Sequence, residues 1–213
     1  MNTSLQDLAI FFIVLLFSMS VHEMMHAFTS DWLGDDTARV MGRVSLNPLK
    51  HIDPFLTIAL PLLLLISHSP VLFGAAKPVQ VNFNRLKWDE FGGAIVGAVG
   101  PLTNFVLAAA AALAFNSLNP IWGTTAYTFF QYAIMLNVGL FVFNLIPWPP
   151  LDGSRVLYAF APKPLQEAMQ RIEGLGMIGL VFFVLIFYSL NGSLGGVMNS
   201  VIHFLSPTLI TQL

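Results

Sequence analysis

Leu8-Ala9-Ile10-Phe11-Phe12-Ile13-Val14-Leu15-Leu16-Phe17-Ser18-Met19-Ser20-Val21 runs without a charge into His22-Glu23-Met24-Met25-His26, and Ala27-Phe28 follow at once. The second stretch matches H-E-x-x-H. Residues four apart lie one above the other on a helix, so His22 and His26 can hold one cation between them. Glu23, one residue along, can poise a metal-bound water instead of binding the metal. The flanks place this metal motif inside an apolar segment long enough to span a bilayer.

Composition agrees. Of 213 residues, 56% are hydrophobic and only 9% charged, against roughly a quarter charged in soluble domains. An all-α polytopic membrane protein follows, a bundle of four to six transmembrane helices. Residues 1–213 read as one integral-membrane domain, with the catalytic core at about 5–160 and C-terminal helices at about 174–213. A net charge of −2 without a basic run offers nothing in favour of nucleic acid, and no such partner is expected, while the absence of cysteine leaves His, Asp and Glu to hold any metal. Residues 1–10 lack Lys and Arg, and no small-residue cleavage site follows the apolar run, so no secretory signal is expected.

In chain order, Leu5 to Leu33 predicts the first span, ended by Gly34-Asp35-Asp36, and residues 39–53 form a polar loop. Phe55 to Phe73 is interrupted by Pro61 and Pro70, and its most apolar part, Phe55 to Ile66, is too short to cross, so a re-entrant segment is expected. Val79, Val81 and Phe83 alternate with polar residues between Lys77 and Asn84, which predicts a short β-strand or hairpin element. Further spans are expected at Phe91–Phe115, Thr124–Ile146 and, shorter, Met177–Leu190. Gly192 to Leu213 is weakly apolar and can span, lie at the interface or pack on a neighbour, including a second copy of the chain.

The positive residues choose a topology. Arg39, Arg43, Lys50, Lys77, Arg85, Lys87, Arg155, Lys163 and Arg171 all fall on one face if Phe55–Phe73 does not cross, and split three against six if it does. The positive-inside rule favours the first, with the charged loops and the active-site side cytoplasmic in a multi-pass cell-membrane protein.

Zinc held by two histidines needs a third protein ligand and an open position for water. Asp152 stands out, because it ends an apolar helix after Pro147, Pro149 and Pro150. The prolines force an extended path, and irregular backbone at membrane depth must line a cavity or be buried in protein. Asp152 is also suited to capping the helix that follows Gly153, and the two roles are compatible. His51 lies in the polar loop, and His68 and His203 lack acidic company. Asn104 and Asn144 each sit where an amide can donate to the oxyanion of a tetrahedral intermediate, or merely bond between helices. Asn144 is favoured, being in the same segment as Asp152.

His22-Glu23-Met24-Met25-His26, Gly100-Pro101-Leu102-Thr103-Asn104 and Asn144-Leu145-Ile146-Pro147-Trp148-Pro149-Pro150-Leu151-Asp152-Gly153 together resemble the site-2 protease family of intramembrane zinc metalloproteases. Asn47-Pro48 with His51-Ile52-Asp53-Pro54, and Phe73 to Val79, look like its small branch without a PDZ domain. The resemblance implies one Zn2+ held by His22, His26 and Asp152, Glu23 as general base and acid, and transmembrane protein or peptide substrates cut in or near the lipid bilayer. A helical substrate must unwind locally to be cut, and the expected strand at Lys77–Asn84 offers an edge to hold it. The competing function is a metal-binding membrane transporter with the same His and Asp ligands. It requires polar residues along a path through the bilayer, whereas Leu8 to Phe17 is entirely apolar.

Overall fold

The computed structural model of the chain describes residues 4–66, 76–176, 179 and 193–210. Helix α1 runs from Leu5 to Trp32, opened by a capping box in which Ser4 Oγ accepts the Asp7 N–H and the Asp7 carboxylate accepts the Ser4 N–H. Its 28 residues reach about 42 Å, more than the roughly 30 Å of bilayer hydrocarbon. After a short helix α2 (Thr37–Val40), a 3-10 turn (Pro48–Lys50) and a π-type turn (Pro54–Ala59) leading into α3 (Leu60–Ile66), the chain reaches two more long apolar helices. These are α4 (Asp89–Leu118) and α5 (Thr125–Asn144). With α1 they are the three helices among the described residues long and apolar enough to cross a membrane.

Two contacts orient this bundle. The Lys87 N–H donates to the Leu33 carbonyl (2.8 Å), joining the end of α1 to the start of α4. Gln6 Nε2 donates to Thr125 Oγ1 (2.6 Å), joining the start of α1 to the start of α5. Helix α4 therefore runs against its two neighbours. It packs on both, with Ala108, Ala112 and Phe115 against Ile134, Val138 and Val142 of α5, while Ile10 and Val14 of α1 meet Ala133. Ile13, Phe17, Val106 and Leu113 face outward, as an apolar belt must in lipid.

The Lys77 N–H donates to the His51 carbonyl (2.8 Å), so the chain between these residues returns to the end of the bundle it left. Of the segment expected at Phe55–Phe73, residues 67–73 lie outside the described residues, and so does almost all of Met177–Leu190. Two short helices, α6 (Gly153–Phe160) and α7 (Lys163–Glu173), follow α5, and the C-terminal stretch forms α8 (Ser193–Leu205) and α9 (Pro207–Ile210). The 13 described residues of α8 reach about 20 Å, and α8 packs Ile202 on the α4–α5 core. Ser206 Oγ donates to Asn116 Oδ1 (2.8 Å) and Asn116 Nδ2 to the Leu205 carbonyl (3.0 Å).

One expectation is corrected. No β-strand occurs among the described residues, and residues 76–82 are an unpaired extended strap. The alternation of Val79, Val81 and Phe83 is a real burial pattern, since these side chains are half-buried while Gln80, Asn82 and Asn84 are exposed. A period of two reports extended backbone, not the partner that would make it a strand. Here the strap's amides bond to side chains and loops instead. Asn82 N–H, for example, donates to the fully buried Asp35 carboxylate (2.7 Å).

Candidate metal centre

His22 and His26 lie in the C-terminal half of α1, buried and one turn apart, with ring centroids separated by 4.6 Å. Both rings are held from behind by α4. His26 Nδ1 donates to the Val96 carbonyl (2.7 Å) and His22 Nδ1 to Asn104 Oδ1 (2.5 Å). An imidazole that donates from Nδ1 presents a bare lone pair at Nε2. The two Nε2 atoms face each other at 3.0 Å.

Asp152 arrives from the other side. Helix α5 ends at Asn144, and a run of turns carries Pro147 to Leu151 back to the start of α6 (Gly153–Phe160). The fold-back is tight: a Cβ on Gly153 would stand 2.2 Å from the Leu145 carbonyl oxygen, so only glycine fits. Asp152 holds the cap position of α6, yet its side chain makes no capping hydrogen bond. It points at the histidines, with Oδ2 at 3.1 Å from His22 Nε2 and 3.3 Å from His26 Nε2.

These contacts can be tested against a metal. With both rings bonded through Nδ1, two Nε2 atoms and a carboxylate oxygen converge on one point. A single proton serves one pair at a time, whereas a cation serves all three. The separations of 3.0, 3.1 and 3.3 Å are close to the edge of a tetrahedron with zinc bonds of roughly 2.0–2.1 Å, which is about 3.3 Å. The donor set, two neutral imidazoles and one carboxylate, suits zinc with a fourth position open. Asp152 is about a quarter exposed while the histidines are buried, so the opening is on the aspartate's side.

Room for the rings depends on Gly100, midway between Val96 and Asn104. A Cβ there would lie 2.4 Å from His26 Nε2 and 2.7 Å from His22 Cε1. Helix α4 thus supplies a carbonyl, a gap and an amide on successive turns of one face.

Glu23 stands beside this centre, half-buried, and its Oε2 accepts the Val79 N–H of the strap at 3.1 Å. The strap is fastened on both sides of that contact, by Asp35 at Asn82 and by Arg43 at Lys77. Arg43 is buried and donates to the carbonyls of Lys50 and Lys77. Burial pushes its guanidinium below the ordinary arginine value, and the charge of Glu23 opposes that shift. His51 Nε2 donates to the Ser45 carbonyl (2.7 Å), which steadies the same loop.

The two candidate asparagines separate. Asn104 is fully buried behind His22, and its Nδ2 donates to Asn137 Oδ1 (2.9 Å). Asn144 is half-buried, and its Nδ2 donates to the Leu140 carbonyl one turn back (3.0 Å). Sequence reasoning missed Asn137, Ser18, Arg43 and the Val79 amide, and it singled out Gly100 only within a motif. Of these, Ser18 was within reach, since it precedes His22 by one turn of the same helix. A backbone amide has no sequence signal.

The family model described as peptidase family M50 matches residues 116–187. A Bacillus subtilis protein named as a zinc metalloprotease, YwhC, is 37% identical over 180 residues, covering 81% of this chain and 78% of that protein. Two mycobacterial proteins named as zinc metalloproteases, both Rip2, are similar across most of the chain. The one from Mycolicibacterium smegmatis is 30% identical (83% of this chain, 66% of its own), and the one from Mycobacterium tuberculosis H37Rv 31% identical (86% and 69%). No solved structure matches the chain. With the histidine pair, the glutamate and the aspartate gathered against apolar helices, this chain belongs to peptidase family M50, the site-2 protease family, and is an intramembrane zinc metalloprotease.

Proposed function

We propose that His22, His26 and Asp152 hold the single zinc, that Glu23 is the catalytic acid–base, and that the substrates are transmembrane segments cut within or near the bilayer. The observation that carries the reading is the convergence of three ligand atoms, two imidazole nitrogens and a carboxylate oxygen, all within 4.8 Å of one another, beside a glutamate. Zinc bound there supplies a Lewis acid that lowers the pKa of water to about 7 and polarises a carbonyl. Glu23 takes the proton from the attacking water and delivers it to the leaving amide nitrogen. The Val79 N–H, bonded to one carboxylate oxygen, holds that side chain in place while the other stays available. Asn144 is the oxyanion donor, turning its amide from the Leu140 carbonyl toward the tetrahedral centre. Asn104 positions His22 and takes no part in the oxyanion.

The site opens toward the cytoplasm. The chain's positive residues cluster where α1 ends and α4 begins, and Arg155, Lys163 and Arg171 follow α5 at that same end. The hydrogen bond from the Lys77 N–H to the His51 carbonyl, which holds both ends of the intervening segment at one end of the bundle, supports the same orientation. No feature of the site favours transport, since Ile10, Phe11, Val14 and Leu15 fill the other half of α1 with apolar packing.

The deciding experiment is Glu23→Gln in the full chain, with zinc content and cleavage of single-span membrane peptides measured on one sample. Retained zinc with abolished cleavage supports the assignment. Retained cleavage removes Glu23 from the reaction.

A further inference from the structure

Three polar side chains lie behind His22 in the interior of the bundle, where nothing in the hydrolysis needs them. Ser18 on α1 is 1% exposed, Asn104 on α4 0% and Asn137 on α5 3%. Polar groups at membrane depth are costly and call for a task. They form one connected chain: His22 Nδ1 to Asn104 Oδ1, Asn104 Nδ2 to Asn137 Oδ1 (2.9 Å), and Asn137 Nδ2 to both Ser18 Oγ (2.8 Å) and the Ala133 carbonyl (2.8 Å).

The direction of this chain is its important property. A side-chain amide turned by 180° keeps its shape and exchanges its oxygen for its NH2. Were Asn104 turned, it would present a donor to His22, and the imidazole would answer with the other tautomer, bare at Nδ1 and protonated at Nε2. A proton at Nε2 sits where the metal bond must form. Asn104 alone cannot choose between the two states. Asn137 can, because one of its partners is a backbone carbonyl, which only accepts. The Ala133 carbonyl requires NH2 from Asn137, which turns the Asn137 oxygen toward Asn104. That in turn draws the Asn104 NH2 away from His22 and leaves an oxygen facing Nδ1. The burial of all three side chains keeps water from supplying an alternative partner.

We propose that Asn137, braced by Ser18 and the Ala133 carbonyl, is a positioning residue that sets the tautomer of His22 through Asn104 and so sets zinc affinity. The inference rests on the assignment of His22 as a zinc ligand. It differs from the ordinary outer-shell contact, represented here by His26 and the Val96 carbonyl, in being two residues removed from the ring.

The test uses the full chain in lipid nanodiscs, with Asn137→Leu, Ser18→Ala and Ser18→Thr, and with Val138→Ala as a packing control in the fully buried α5 core that does not touch the chain. Two quantities are read. Nitrogen-15 shifts of the His22 imidazole in metal-free protein report its tautomer without reference to zinc. Competition with a chromophoric chelator gives the zinc dissociation constant. The wild type should show the Nδ1–H form alone. Asn137→Leu should show a mixture, with zinc bound roughly 10- to 100-fold more weakly. Ser18→Ala should move both readings the same way by less, and Ser18→Thr, which keeps the hydroxyl, should restore them. If Asn137→Leu does not fold, the Ser18 pair carries the comparison. An unchanged tautomer in the folded variants, or a zinc loss no greater than that of Val138→Ala, overturns the proposal. A shifted tautomer with unchanged zinc affinity overturns it too, and points instead to an error in His22 as a ligand.

Discussion

Val96 and Asn104, two turns apart on α4, accept the Nδ1 protons of His26 and His22 respectively. One face of one helix therefore fixes both rings, and it does so from opposite sides of the gap left by Gly100. The metal centre is in this sense a property of the α1–α4 contact, closed from outside by Asp152.

Gly100→Ala puts a methyl 2.4 Å from His26 Nε2. Overpacking of this kind costs about 1–3 kcal/mol, and here the group that must yield is a ligand. Zinc affinity should fall roughly 10- to 100-fold with helix content by circular dichroism unchanged. Wild-type zinc affinity in the variant would show that α1 and α4 part easily, and that the close approach is not what holds the rings.

Chelation should abolish cleavage, and added zinc should restore it. Asp152→Asn keeps the shape of the side chain but loses the charge that balances a dication between two neutral rings. Its zinc affinity should fall by more than the roughly 10–100-fold typical of an outer-shell change. Metal analysis after dialysis checks this, and a variant that retains stoichiometric zinc would remove Asp152 from the ligand set.

Val79→Pro deletes the amide proton that meets Glu23. Hydrogen bonds to charged groups contribute about 1.5–3 kcal/mol, so turnover should drop about tenfold or more with zinc retained. Val79→Ala, which keeps the amide, should cleave normally. Equal losses in both variants would mean that the side chain of Val79, not its N–H, matters.

Orientation can be read by thiol labelling, because the chain has no cysteine of its own. Ile121 is exposed in the loop between α4 and α5, and Lys50 is exposed at the opposite end. A membrane-impermeant maleimide should label Ile121→Cys in intact cells and Lys50→Cys only after permeabilisation. The reverse pattern would put the active site on the outer side.

The sequence by itself determined the membrane class and three of the long helices to within a few residues, and it singled out His22, Glu23, His26 and Asp152, which the fold brings together. These are carried by signals that survive without a fold: apolar runs of spanning length, four-residue spacing on one helix, and a carboxylate stranded after prolines. Its alternation at Val79, Val81 and Phe83 matches a burial pattern but said nothing about a partner, and the expected strand is a strap across Glu23 that runs into a 3-10 turn at Phe83. Asp152 shows the same limit, since its place at the start of α6 suits a cap and only the fold shows its carboxylate turned to the histidines. Only the tertiary structure decided how His22 and His26 are held, because those contacts join residues 70 and 82 positions apart. A carbonyl at Val96, a missing methyl at Gly100 and the direction of two amides have no local pattern. They acquire meaning only when α1, α4 and α5 are packed together.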